Sequence, residues 1–371
     1  MPAYADAAAS VRPLDSAAAE AAELRQARLT KPPGALGRLE TLGTQLAAIA
    51  RKVPPPVPLQ PVAVVFAGDH GVLAEGVSPW PAEVTAQMVA NFVAGGAAIN
   101  ALARQVGADV VVVDIGVATP IPSVGSAGEG RLVLANVRAG SGNIAREAAM
   151  SRDEAERALD VGANLAVDLV QAGADCLLTG DMGIGNTTPS AALIAAFTGR
   201  PAREVTGRGT GISDEQWEQK VAVVERALER AGLGVPGRAD PVGVLAELGG
   251  LEIAGIAGLV IGAAAAGVPV ILDGVIALAG TLAAAAIAPA VLGYCIAGHR
   301  STEPGAGVAL EHLSLQPVLD LGLRLGEGSG ACLAVPIVQA AARILAEMAT
   351  FDSAGVSERE ATDGGEGVTV S

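Results

Sequence analysis

The chain has 371 residues, a formal net charge of −15 and 51% hydrophobic residues. That length buries a large core, as one big domain or as one domain plus a smaller one. Its acidity and its 2% aromatic content argue against nucleic acid and against anionic membrane as partners, since both need basic surface and the former needs stacking platforms.

Residues 1–14 read as a loose tail without the basic n-region of a signal peptide, which fits a cytoplasmic protein. Asp15 or Ser16 is placed to N-cap a helix to about Arg28, which Lys31-Pro-Pro-Gly34 breaks. A second helix over about 35–52 carries Leu36, Leu39, Leu42, Leu46 and Ile49 at helical spacing. PPPVPLQP (54–61) is a stiff connector.

A rhythm then sets in. VAVVF (62–66) ends in GDHG, DVVVVD (109–114) in IG, DCLLT (175–179) in GDMGIGN, VPVILD (268–273) in G, and YCIA (294–297) in GHRS. RLVLANV (131–137) is a further candidate without such a tail. These runs are short, β-branched and unalternated, as parallel strands covered on both faces are. Ala-rich helical segments separate them, so the predicted class is α/β, built from βαβ units. Residues 253–297 are almost all apolar, but Pro269 and Asp273 interrupt them, and VPVILDG reads as a buried strand rather than part of a membrane span. Cys176, Cys295 and Cys332 lie far apart in apolar runs and read as buried free thiols in a reducing compartment. From about Ala354 the chain is polar and Gly-rich, a predicted disordered tail over 354–371.

In parallel sheets ligands bind beyond the carboxyl ends of the strands. Here those ends supply Asp69-His70, Asp114, Asp181, Asn186, Asp273, His299 and Ser301. GDHG (68–71) reads either as an acid–base or metal site, or as a turn whose side chains hold neighbouring backbone. Three histidines without ligand spacing argue against a catalytic metal. In GDMGIGNTT, Gly183 and Gly185 permit close backbone approach, and Asn186, Thr187 and Thr188 add donors at a helix start. The plainer reading is a glycine-rich turn with an N-cap. GRGTG (207–211) offers a second backbone cradle, and Lys220 reads as a phosphate-reaching point charge or as a solvated helix lysine. In LRLGEGSGACLAVPIV (323–338), Glu327 stands between glycines ahead of an apolar helix. Two readings stay open for it: a cap for that helix, or a general base on a rigid loop.

The motifs GDHGV, EVTAQMVANF, GGAAIN, GSGNIA, GDMGIGNTTPSAA, GRGTG, LDG, GHRSTEPG and LRLGEGSGA stand in order along the chain. In this they resemble the nicotinate-nucleotide–dimethylbenzimidazole phosphoribosyltransferase family, from about Lys31 to Met348. The resemblance implies transfer of a phosphoribosyl group from nicotinate mononucleotide to a benzimidazole-type base, in cobalamin nucleotide-loop assembly. It implies a Rossmann-like parallel α/β core over 60–330, a small helical domain from 15–55 with about 330–353, and a homodimer.

Residue by residue, the resemblance makes Glu327 the proton acceptor and Asp181 a second acid at a position that is Glu in some members. Nucleotide binding then falls to Gly183, Ile184, Gly185 and Asn186, helped by Gly209, Thr210, Gly211, Lys220, Asp273 and Ser301. The base side falls to Trp80, Pro81, Gln87, Met88 and Leu325. Gln87 and Met88 compete for one slot there, and Trp80 either stacks on the base or packs against the helical domain. The chemistry asks for no metal and no cofactor, because a pyridinium leaves as a neutral base and the attacking benzimidazole needs only one proton removed. A different phosphoribosyl or phosphate-ester enzyme on the same sheet should instead need Mg²⁺.

Overall fold

The computed structural model describes residues 2–121, 130–209, 211–232 and 240–357. Six strands form one sheet: β1 (Pro61–Gly68), β2 (Asp109–Gly116), β3 (Arg131–Leu134), β4 (Cys176–Met182), β5 (Val270–Leu272) and β6 (Cys295–Ala297). Their order is β3-β2-β1-β4-β5-β6, and every neighbouring pair is parallel. This is the doubly wound arrangement, with its switch point between β1 and β4. All six predicted runs are strands, including 131–137, whose paired part is Arg131–Leu134 at the sheet edge.

β1 shows why these runs do not alternate. Val62, Val64 and Phe66 enter one apolar cluster, which holds the helices Arg152–Gln171, Thr187–Thr198, Leu251–Ala266 and Val275–Ile287. Ala63, Val65 and Ala67 enter the other, with Glu83–Ala94, Ala98–Val106 and Ser329–Glu347. Side chains alternate between faces, and both faces are dry, so every position is apolar. The apolar stretch 253–297 is therefore two buried helices around β5. Its glycines serve close packing. A Cβ on Gly258 would stand 2.0 Å from the Leu159 carbonyl oxygen of the neighbouring helix, and one on Gly162 would stand 2.0 Å from that of Gly255.

The chain ends differ from expectation in one respect. Where a loose tail was predicted over 1–14, Ala3–Ser10 form a helix. Tyr4 is buried, and its amide donates to Asp160 Oδ1 at 2.8 Å. Only a tertiary neighbour makes this short Ala-rich segment worth ordering, because eight residues are too few to be helical alone. Asp15 caps the next helix, Ser16–Arg28, accepting from the Ala18 amide at 2.8 Å. The second predicted helix starts at Arg38, because Gly37 turns through φ +50° ahead of it. Ala22, Ala47 and Leu345 join these helices to the end of Ser329–Glu347, and Leu29 bridges to Thr350. A one-turn helix, Phe351–Ala354, ends where the predicted tail begins, and 358–371 lie outside the described residues.

Candidate active site

Beyond the carboxyl ends of β1 and β4 lies a cavity of about 360 Å³, lined by Trp80, Met88, residues 181–187, Lys220, Leu325 and Glu327. One wall is the Gly326–Gly328 turn. Its three residues have φ of +85°, +64° and +91°. For Glu327 this left-handed geometry costs about 1–2 kcal/mol, so surrounding contacts must hold it. Glu327 is buried. Its Oε2 accepts from the Ile99 amide at 3.1 Å, in the first turn of Ala98–Val106, where a helix presents partial positive charge. Its own amide donates to the Asp181 carbonyl at 3.3 Å. Burial raises the Glu327 pKa above the ordinary carboxylate value; the Ile99 amide opposes this and the Asp273 charge adds to it.

Asp181, near the end of β4, is also buried. Asn186 Nδ2 donates to its Oδ2 at 2.9 Å, while its Oδ1 has no protein hydrogen-bond partner. Burial, then Asp273, pushes its carboxyl well above the usual range; Asn186 opposes, and Glu252 and Glu327 add to the rise.

Lys220 comes from the helix Asp214–Ala231 and is 1% exposed, so it is not a solvated helix lysine. Its Nζ donates to Thr187 Oγ1 at 2.7 Å. Burial brings its pKa down to about 8, against the pull of Glu303. Gly183 must be glycine: a Cβ there would stand 2.3 Å from the Gly68 carbonyl oxygen, where the β1 and β4 loops cross. The Ile184 amide is already bonded to Thr85 Oγ1 at 3.2 Å.

Other expected residues are placed differently. The Gly209 amide is held by Glu303 Oε1 at 2.8 Å, and its carbonyl accepts from Arg324 Nη1 at 2.8 Å. That loop instead faces a second cavity of about 550 Å³, whose lining includes Arg203, Arg208, Gly209, Gly211 and Trp217. Thr210 lies outside the described residues. Asp273 and Ser301 line neither cavity. Asp273 spends both carboxylate oxygens on the backbone amides of Gly328, Gly330 and Ala331, and Ser301 Oγ accepts from the Glu303 amide at 3.3 Å. On the base side, Met88 lines the first cavity with Trp80 and Leu325 at its rim, while Pro81 and Gln87 are exposed away from it. The reason is helical phase: Gln87 and Met88 are adjacent in Glu83–Ala94 and lie about 100° apart.

GDHG is a turn whose side chains hold their neighbours. Asp69 Oδ2 accepts from the Ala118 amide at 2.8 Å. His70 Nε2 lies 2.9 Å from Glu252 Oε1, and Nδ1 lies 3.2 Å from Ser141 Oγ. Burial pulls the His70 pKa down, but the charge and hydrogen bond of Glu252 with the charge of Asp69 together outweigh it, and the net shift is upward. Sequence reasoning passed over Glu252. Its signal was a lone acid inside the apolar run LEIAGIAG. Val77 also lines the cavity unforeseen, and nothing marks such an apolar loop residue in advance. Among the described residues no group of three or more His, Cys, Asp or Glu could hold a metal ion.

A family model described as "Phosphoribosyltransferase" matches residues 11–356. The nicotinate-nucleotide–dimethylbenzimidazole phosphoribosyltransferase of Salinispora tropica is 56% identical over 360 residues, covering 95% of this chain and 98% of the relative. The enzyme of the same name from Chloroflexus aggregans is 52% identical over 350 residues, covering 94% and 97%. The crystal structure of CobT from Thermus thermophilus superposes with a TM-score of 0.87 at 47% identity, covering 92% of this chain and 100% of that one. Sequence relatives over nearly the whole chain and a solved structure of the same fold thus agree, and the chain belongs to the nicotinate-nucleotide–dimethylbenzimidazole phosphoribosyltransferase family.

Proposed function

We infer that this phosphoribosyltransferase moves the phosphoribosyl group of nicotinate mononucleotide to 5,6-dimethylbenzimidazole or a related base. The products are α-ribazole 5′-phosphate and nicotinate, for cobalamin assembly. The observation that carries the reading is Glu327, a carboxylate of raised basicity held by the Ile99 amide in a cavity that also holds a buried lysine. The ring nitrogen of the leaving nicotinate departs neutral, so nothing need protonate it. The attacking nitrogen approaches from the opposite face, which inverts β to α, and Glu327 takes the proton the benzimidazole sheds. The glycine turn 183–185 and Lys220 take the 5′-phosphate. Trp80, Met88 and Leu325 border the base. We also read the chain as a cytoplasmic homodimer. Incubation with nicotinate mononucleotide and dimethylbenzimidazole should yield the ribazole phosphate; its absence with folded protein rejects the reading.

Turnover is expected to persist in EDTA, because neither the departing pyridinium nor the attacking base calls for a Lewis acid. Loss of activity in chelator, restored by one divalent ion, would reject this mechanism.

Asp181 has a smaller role. Burial and the neighbouring acids Asp273, Glu252 and Glu327 disfavour its anion, and the positive charge of the bound pyridinium favours its ionisation. The anion then faces the positive charge that develops at the anomeric carbon. Asp181→Asn should therefore slow turnover less than Glu327→Gln. If each acid can cover for the other, the double mutant should lose more than the product of the single losses. Unchanged kinetics for Asp181→Asn beside an inactive Glu327→Gln would leave Asp181 only a turn residue.

A further inference from the structure

The general base has an unfavourable backbone conformation and no covalent restraint, so something must hold its loop. The Asp273 carboxylate, 1% exposed at the end of β5, meets that loop from below. Its Oδ1 accepts from the amides of Gly330 at 2.7 Å and Ala331 at 3.1 Å, and its Oδ2 accepts from the Gly328 amide at 3.2 Å. Gly328 directly follows Glu327, so one of these bonds fixes the peptide that sets the base's direction. The Asp273 amide is itself anchored to Thr179 Oγ1 of β4 at 2.9 Å. His299, just past β6 and 2% exposed, places Nε2 at 3.3 Å from Asp273 Oδ1. The fit is close: a Cβ on Gly330 would stand 1.9 Å from His299 Cδ2. Three adjacent strand ends thus converge on the turn that carries Glu327.

We propose that Asp273 is the positioning residue for the general base, holding the 326–328 turn so that Glu327 points into the cavity, with His299 orienting the Asp273 carboxylate. This rests on the reading of Glu327 as the base. A simple helix cap is local in sequence, whereas Asp273 reaches across 55 to 58 residues and bonds three amides while fully enclosed. Asp273 does not line the cavity, and both of its carboxylate oxygens are engaged by the turn and the helix start. The acids facing Glu327 are Asp181 from β4 and Asp273 from β5, with Lys220 on the same cavity and only the Ile99 amide from Ala98–Val106.

Asp273→Asn keeps the shape but sets an N–H against the Gly328 amide. A base misplaced by about 1 Å costs roughly 10²-fold, so kcat should fall by about that factor with KM for nicotinate mononucleotide nearly unchanged. The acid limb of the pH–rate profile should also move to lower pH, because the negative charge beside Glu327 is gone. His299→Leu should show the same kcat-only loss, and His299→Gln, which keeps a donor, should recover most of it; this pair decides the matter if Asp273→Asn does not fold. Wild-type kcat in folded Asp273→Asn, or equal losses in kcat and in nucleotide binding, would overturn the proposal. Glu327→Gln, measured alongside, separates the two readings. If it is slow while Asp273→Asn is not, only the positioning role fails. If Glu327→Gln is itself near wild type, the base reading fails.

Discussion

Glu327→Gln is expected to bind both substrates and to turn over about 10²–10⁴-fold more slowly than wild type, the range for loss of a general base. The glutamine amide matches the carboxylate in size, and its oxygen can still accept from the Ile99 amide, so the turn and the cavity should persist. What disappears is the group near the incoming base that the site holds ionised yet basic. Two opposing effects set that state. Burial and the Asp273 charge make the Glu327 proton hard to lose, and the Ile99 amide stabilises the anion. On the proposed reading the raised pKa belongs to the general base, so wild-type kcat/KM should fall on the acid side through a value above the ordinary 4.5. In Glu327→Gln that limb should vanish with the rate. Steady-state kinetics across pH, with calorimetry for binding, checks both parts. Near wild-type kcat in the purified variant rejects the role.

Lys220→Ala is expected to raise KM for nicotinate mononucleotide far more than KM for the benzimidazole. A lost charge-assisted hydrogen bond is worth about 1.5–3 kcal/mol, roughly ten- to a hundred-fold. The fold does not explain this lysine. With its pKa lowered from 10.5 to about 8, the folded state disfavours the ammonium. Below about pH 8 that buried charge opposes folding, and its cost fades as pH rises from about 8 towards the unfolded value of 10.5. Removing it should therefore cost binding without lowering stability through the charge. Wild-type KM for the nucleotide should climb above about pH 8 as Lys220 loses its proton, and Lys220→Ala should flatten that climb. Equal effects on the two substrates, or none, would count against the phosphate role.

Much of the site was legible because its chemistry is concentrated in short, continuous stretches. Gly183, Asn186 and Glu327 announce themselves, since turn glycines and an acid before an apolar helix are local statements. The six strands were legible for the same reason: a buried parallel strand needs an unbroken apolar run, which composition alone displays. Partners were not legible. The sequence places Asp273 at a strand end but cannot say whether its carboxylate meets a nucleotide or the amides of Gly328 and Gly330, 55 and 57 residues away. It cannot tell Gln87 from Met88 until the rotation of Glu83–Ala94 on the sheet is set. Nor does it show that Lys220 is enclosed, that Glu303 holds Gly209, or that Ala3–Ser10 have a surface to lie on. Local conformation is dictated by neighbours in sequence, through dihedral preference and apolar pattern. Burial, hydrogen-bond partner and pKa are dictated by neighbours in space, and only the assembled sheet decides which those are.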